Sequence, residues 1–309
     1  MNRSRALVLS MWLAAAASAW GQSKERDPHL GYLFPAGGRQ GTAVRVTAGG
    51  QNLRGADGVW ISGEGVQARV VEFARPLSFQ QLRDLRQQID KLLRRRRSGP
   101  AFRQRGEDRP GAFELDLTDV PDHPSLRGLE QLSVRQLVAW RDQVLNPEKR
   151  QPNAQLAEQV VVEITIDADA KPGDRELRLV TAAGLTNPLR FQVGTQAEAT
   201  EREPNDTETG QVDCAEAPVC FNGQLMGGDV DRFRFRARGG QQLVIRAYAR
   251  RLIPYLADAV PGWFQATLAL YDGQGHEGAC ADDWSFDPDP VIVHAIPADG
   301  EFEVEIRDS

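Results

Sequence analysis

From Asp231 to Ala237 the chain reads Asp-Arg-Phe-Arg-Phe-Arg-Ala, with an arginine at every second position. A period of two is the signature of a strand with one wet and one dry face. The dry phase of this strand carries Phe233 and Phe235, so the wet phase takes Arg232, Arg234 and Arg236. The same pattern returns near the end, where Phe302, Val304 and Ile306 alternate with Glu301, Glu303 and Glu305. After the turn at Gly239-Gly240 it continues through Leu243, Ile245 and Ala247. An antiparallel sheet with a solvated face follows from this alternation.

Asp229 and Asp231 share the inward phase with the two phenylalanines. A carboxylate at the core-facing start of a strand needs a partner, because burying it bare is costly. The run Glu201-Arg202-Glu203-Pro204-Asn205-Asp206-Thr207 supplies more oxygen donors upstream. In extended chain Glu201, Glu203 and Asn205 fall on one side, and Pro204 holds Glu203 extended. Asn205-Asp206-Thr207 then reads as a turn. Calcium takes about six to eight oxygens from carboxylates, amides and carbonyls. Two readings stand at this point: a cation site built from both segments, or a solvated acidic linker whose carboxylates meet Arg202 or Arg232.

The region from about 201 to 309 resembles the bacterial pre-peptidase C-terminal domain. The carriers are the Glu201–Thr207 run, Phe221-Asn222-Gly223-Gln224-Leu225, Gly228 to Phe235, Leu268-Ala269-Leu270-Tyr271-Asp272-Gly273 and Pro297-Ala298-Asp299-Gly300-Glu301-Phe302. The resemblance implies a jelly-roll-like β-sandwich of the kind appended to secreted enzymes and surface proteins. Related collagen-binding modules hold calcium through such an acidic segment. Carried over, that places a structural calcium on Glu201, Glu203, Asn205, Asp206, Asp229 and Asp231.

Upstream, Val44 and Val46 alternate with Arg45 and Thr47, and Val59 and Ile61 continue the pattern. Gly49-Gly50 and Gly55-Ala56-Asp57-Gly58 read as turns. Val162, Ile164 and Ile166, then Leu177, Leu179, Leu189, Phe191 and Val193, complete a sandwich. Phe34 to Thr42 leading into Val44–Thr47, with Ala170 to Leu177 and Ala183-Gly184-Leu185, is similar to an IPT/TIG-like immunoglobulin-type domain. That resemblance implies an extracellular spacer or interaction module without catalytic residues.

Between these halves lies a helical insertion, about 76–157. Ser78-Phe79-Gln80-Gln81 and Ser133-Val134-Arg135-Gln136 are capping-box patterns. Leu82, Leu85, Ile89, Leu92 and Leu93 follow the first at helical spacing; Leu137, Trp140 and Val144 follow the second, with Pro147 ending it. The two stripes pack against each other or against the sandwich. Arg94 to Arg97 closes the first helix, where cations suit the helix dipole. The run reads as a solvated loop or as a dock for anionic polysaccharide, lipid headgroups or nucleic acid.

The start of the chain has a basic Met1–Arg5, an apolar run from Ala6 to Ala19 and small residues at Ala17-Ser18-Ala19. This pattern reads as a secretory signal over residues 1–21. The expected organisation is therefore a signal, an IPT/TIG-like sandwich over 22–195 with its helical insertion, a polar joint at Thr195–Thr200, and a pre-peptidase-type sandwich over 196–309. The fold class is mainly β. The chain stops at Ser309, where that family often carries another strand, which implies a truncated C-terminus.

Export permits disulfides among Cys214, Cys220 and Cys280, and three reduced, buried cysteines are the other option. A formal charge of -6 and a pI near 5.4 argue against nucleic-acid binding. Sequence signatures of a nucleophile elbow, a zincin helix, a phosphate loop or a dinucleotide fold are missing. His29, His123, His276 and His294 are scattered. Asp282-Asp283 with Asp287-Pro288-Asp289 reads as a second cation site or a polar loop. Trp263, Phe264 and Trp284 read as core or rim packing, or as an aromatic platform for sugar or peptide. The function expected is a secreted, non-catalytic binding or structural module for adhesion, docking or spacing, with an extracellular protein or polysaccharide as its partner. The alternative is an accessory region of a secreted hydrolase whose catalytic domain lies outside this chain.

Overall fold

The computed structural model describes residues 27–97, 123, 126–127, 129, 132–144, 156–201, 212–225, 230–253 and 265–308. The signal-like start, Arg202, Leu145 to Gln155, Trp263 and Phe264 lie outside these residues. The chain is mainly β, with two sandwiches and a helical insertion in the first. Among the described residues no helix is long and apolar enough to cross a membrane.

The first sandwich is built from β1 (His29–Phe34), β2 (Gly37–Arg39), β3 (Ala43–Gln51), β4 (Gly58–Ile61), β5 (Val66–Ala74), β6 (Glu158–Ile166), β7 (Gly173–Thr181), β8 (Gly184–Leu185) and β9 (Leu189–Gly194). One sheet runs β1-β3-β6-β5; the other runs β2-β9-β7-β4, with β8 hairpinned onto β7. The alternating positions meet between them: Leu30, Val46, Val162, Ile164, Leu177, Leu179 and Phe191 are all buried in one cluster. Each such side chain contributes about 1.5–3 kcal/mol on leaving water.

Gly49 and Gly50 correct the sequence reading. They form no turn but lie inside β3, paired with Tyr32 and Leu30 of β1. A Cβ on Gly49 would sit 1.9 Å from the Tyr32 ring, and one on Gly50 would sit 2.0 Å from the His29 carbonyl oxygen. The missing side chain of Gly49 is room for Tyr32, whose hydroxyl accepts a hydrogen bond from Gln159 Nε2 at 3.2 Å, and that of Gly50 is room for the β1 backbone.

The insertion supplies α1 (Phe79–Arg97) and α2 (Val134–Val144). Both capping boxes close reciprocally. Ser78 N–H donates to Gln81 Oε1 at 2.8 Å while Gln81 N–H donates to Ser78 Oγ at 3.3 Å. Ser133 and Gln136 repeat this at 3.0 and 3.2 Å. The stripes pack on each other rather than on the sandwich: Leu85, Ile89 and Leu93 bury with Leu137 and Trp140 in a cluster of their own. An Arg127–Glu72 ion pair of 2.8 Å ties the insertion to β5.

The second sandwich comprises β10 (Ala197–Thr200), β11 (Val212–Glu216), β12 (Val219–Asn222), β13 (Val230–Ala237), β14 (Gln242–Arg246), β15 (Ala266–Asp272), β16 (Glu277–Ala281), β17 (Val291–Ala295) and β18 (Gly300–Asp308). Its main sheet runs β11-β13-β18-β15-β16, and the pairs β14-β17 and β10-β12 stand beside it. Phe233, Phe235, Leu268, Leu270, Ile292, Phe302 and Val304 fill its core.

The polar joint turns out to be a strand. Ala197 to Thr200 pairs in parallel with Val219 to Asn222, so the connection is hydrogen-bonded into the second sandwich. The wet face also departs from expectation at one point. Glu305 is only 5 % exposed. Arg232, opposite it in register, covers it and donates through Nε at 2.9 Å. Cys220 and Cys280 are free thiols and exposed, so neither the expected bridge nor the expected burial holds for them.

Replacing Ser78 or Ser133 by alanine removes one half of a capping box and should cost about 1 kcal/mol each, read by urea unfolding. Gly49→Ala should destabilise by about 1–3 kcal/mol through the Tyr32 clash. Gly55→Ala, at a turn with nothing within 4 Å of the new methyl but with a φ of 79, should cost about 1–2 kcal/mol through backbone strain alone in the same assay.

Candidate metal centre at the head of the second sandwich

The pleat of β13 decides the site. Asp231 shares the inward phase with Phe233 and Phe235 and is 1 % exposed. Its neighbour Arg232 therefore points to the solvent face, where it pairs with Glu305 at 2.7 Å. That removes Arg232 as the partner of the acidic group, one of the two arginine options read from the sequence.

Glu201 arrives from the other side. The parallel β10–β12 pair ends with the Glu201 N–H donating to the Asn222 carbonyl at 2.9 Å. This fixes Glu201 beside Gly223 and leaves it 6 % exposed. Its Oε1 accepts the Gln224 N–H.

The two carboxylates converge on Gly223. A Cβ there would lie 2.9 Å from Glu201 Oε2 and 3.1 Å from Asp231 Oδ2, so these oxygens are within about 6 Å of each other. Gly223 is the opening that lets both in. Buried carboxylates near one another are satisfied by hydrogen-bond donors, by a proton or by a cation. Both make further interactions as well, so the pair is not bare.

Of the six residues expected to hold calcium, the structure therefore brings together Glu201 and Asp231. Glu203, Asn205, Asp206 and Asp229 lie outside the described residues. The pair fits a hard cation in donor type and supplies two of the roughly six to eight oxygens calcium takes. Among the described residues no group of three or more His, Cys, Asp or Glu is placed to hold a metal.

Sequence reasoning missed Gly223 and the Gln224 N–H as parts of the site. The Asn-Gly pair at the end of β12 was a signal for a tight backbone, but its use as a cradle depends on the distant Asp231. Glu198 was missed too. It sits across the strand pair from Cys220, and its Oε2 accepts a hydrogen bond from Asn222 Nδ2 at 3.0 Å. Burial pushes its carboxyl up, and the Asn222 bond offsets part of that.

The second acidic group is not a metal site in form. Asp289 is 1 % exposed, but its carboxylate is spent on backbone: it accepts the N–H groups of Ala249, Arg250 and Arg251 at 3.3, 2.6 and 3.2 Å. Asp287 Oδ1 in turn accepts the Asp289 N–H at 3.0 Å. His276 belongs to a hairpin turn, where its backbone N–H, before any other group, holds the Asp272 carboxyl below its usual range.

Gly223→Ala should push the Glu201 and Asp231 oxygens apart. A loss of about 1–3 kcal/mol in urea unfolding is expected, the range for overpacking a filled site.

No family model matches the chain, and no curated protein sequence matches it. Among solved structures it is similar to the C-terminal domain of the Streptococcus pyogenes antigen I/II-family protein AspA, at 9% sequence identity and a TM-score of 0.20, over 91% of this chain and 90% of that chain. A likeness at that level carries no argument about fold or function.

Proposed function

We propose that this chain is an exported, non-catalytic binding or spacing module, organised at its joint by calcium. The supporting observation is the convergence of buried Glu201 and Asp231 on Gly223, at the point where the chain leaves the first sandwich for the second. A cation there would be held by Glu201 and Asp231, with Glu203, Asn205, Asp206 and Asp229 as the further donors the sequence offers. Its role would be structural: neutralising two buried carboxylates and locking the incoming strand to the sandwich.

The joint has a second fastening. Asp174 Oδ2 of the first sandwich receives Arg251 Nη2 of the second at 3.0 Å and Arg190 Nη1 of its own sandwich at 3.1 Å. Arg251 also stacks over the Tyr248 ring, 4.6 Å from its centroid. A stiff joint between two sandwiches suits a spacer that presents a surface to an extracellular protein or polysaccharide. Extracellular calcium modules work at dissociation constants of about 10⁻⁴–10⁻³ M, which matches an exported setting.

Thermal melting of the full chain with calcium, magnesium or chelator tests this. A ligand bound only by the folded state stabilises it by about 2.7 kcal/mol at a hundred times its dissociation constant. Calcium should raise the melting temperature, magnesium should not, and Glu201→Gln with Asp231→Asn should abolish the rise. An equal melting temperature in calcium and chelator would refute the calcium reading.

A further inference from the structure

The turn between β16 and β17 presents two aromatic side chains to water. Trp284 is 48 % exposed and Phe286 is 105 % exposed, so Phe286 touches almost nothing of its own chain. Of the two sequence readings for Trp284, core or rim packing and a platform, the exposure favours the second.

The display is rigid. Trp284 and Asp287 exchange both backbone hydrogen bonds, at 2.9 and 3.0 Å. Ser285 between them holds a φ of 60, a left-handed backbone uncommon outside glycine. Behind the turn, buried Asp289 fastens the loop to the backbone of residues 249–251. The anchored turn has already lost the backbone freedom that binding would otherwise remove.

The charge around the rings is one-sided. Asp282 and Asp283 precede Trp284, Asp287 follows Phe286, and all three are exposed. Elsewhere in this unit Glu301, Glu303 and Glu305 each meet an arginine. Among the described residues no arginine or lysine pairs with Asp282, Asp283 or Asp287.

We propose that this turn is a docking site for a basic peptide segment, rich in arginine, of a partner protein. A guanidinium uses both features at once: its face stacks on an indole or phenyl ring, and its edge donates to carboxylates. An anionic polymer is repelled by the three aspartates. A neutral glycan gains from the rings but draws nothing from the uncompensated charge. The site shares no residue with the Glu201–Asp231 pair, so it stands whether or not calcium binds there.

The test is fluorescence anisotropy of a labelled arginine–glycine peptide titrated with the full chain, in calcium and in chelator, at low and at physiological salt. Binding should weaken as salt rises. Trp284→Ala with Phe286→Ala, which changes no charge, should weaken binding about tenfold while leaving the melting temperature unchanged. Asp282→Asn with Asp283→Asn should weaken it and flatten the salt dependence. The proposal is overturned by equal affinity of the aromatic variant, by capture of a neutral oligosaccharide or an acidic peptide instead, or by no binding at all. Binding lost in chelator would move the peptide to the joint and overturn it as well. A missing calcium shift with intact peptide binding would instead sink only the calcium reading.

Discussion

The register of β13 on β18 is the constraint from which the second sandwich follows. Eight residue pairs run from Val230↔Arg307 to Ala237↔Gly300 without a break. Three of them are opposite charges in line: Arg232 with Glu305, Arg234 with Glu303 and Arg236 with Glu301. A slip of one residue would turn the whole phase over, placing three arginines in the core and two phenylalanines in water. Apart from buried Glu305 the ladder meets solvent, so its pairs add little stability singly. Their effect is on choice: wrong registers lose both the phenylalanine packing and the charge match. Because Asp231 is locked to the same phase, the register that buries Phe233 and Phe235 also delivers a carboxylate to the joint.

That coupling explains how a buried acid persists in a sheet otherwise built for apolar contact. Asp231 stands one pleat beyond Phe233, at the end of the core, where Glu201 and Gly223 meet it. β10 brings Glu201 there only because it is hydrogen-bonded to β12 rather than left as a free tether. The connection between the sandwiches is thus part of the second sandwich's structure. The Asp174–Arg251 contact also links the two sandwiches, and its partners come from both units.

Local periodicity made much of this legible in the sequence. The alternating valines, leucines and phenylalanines named the strands, and the two Ser-x-x-Gln boxes named both helix starts, because each signal is complete within a few residues. What was not legible depends on distant neighbours. Gly49-Gly50 has turn composition, yet the Tyr32 ring and the His29 backbone of the adjacent strand give those glycines their place inside β3. Thr195 to Thr200 looked like a linker because its strand partner lies some twenty residues ahead. Glu305 read as wet because nothing in its own strand shows that Arg232 covers it. For the site, strand phase was enough to place Asp231 inward, and the acidic run was enough to single out Glu201. That both meet at Gly223 is a tertiary fact.

The aspartates between 282 and 289 show why composition alone could not sort them. Asp289 is buried and fully committed to three backbone N–H groups, an arrangement that satisfies a carboxylate without any cation. Asp287 spends one oxygen on the Asp289 N–H and belongs to the turn. Asp282 and Asp283, a few residues earlier, have no such backbone donors among the described residues and stay exposed beside Trp284. Four acids within eight residues thus divide into an anchor, a turn brace and two free charges, and the division follows from which backbone amides each can reach. The anchor fixes the turn, the turn holds the rings out, and the free charges set which ligands the rings can meet. A surface assembled in that order has its rigidity in Asp289 and its selectivity in Asp282 and Asp283, so the two properties can be altered separately.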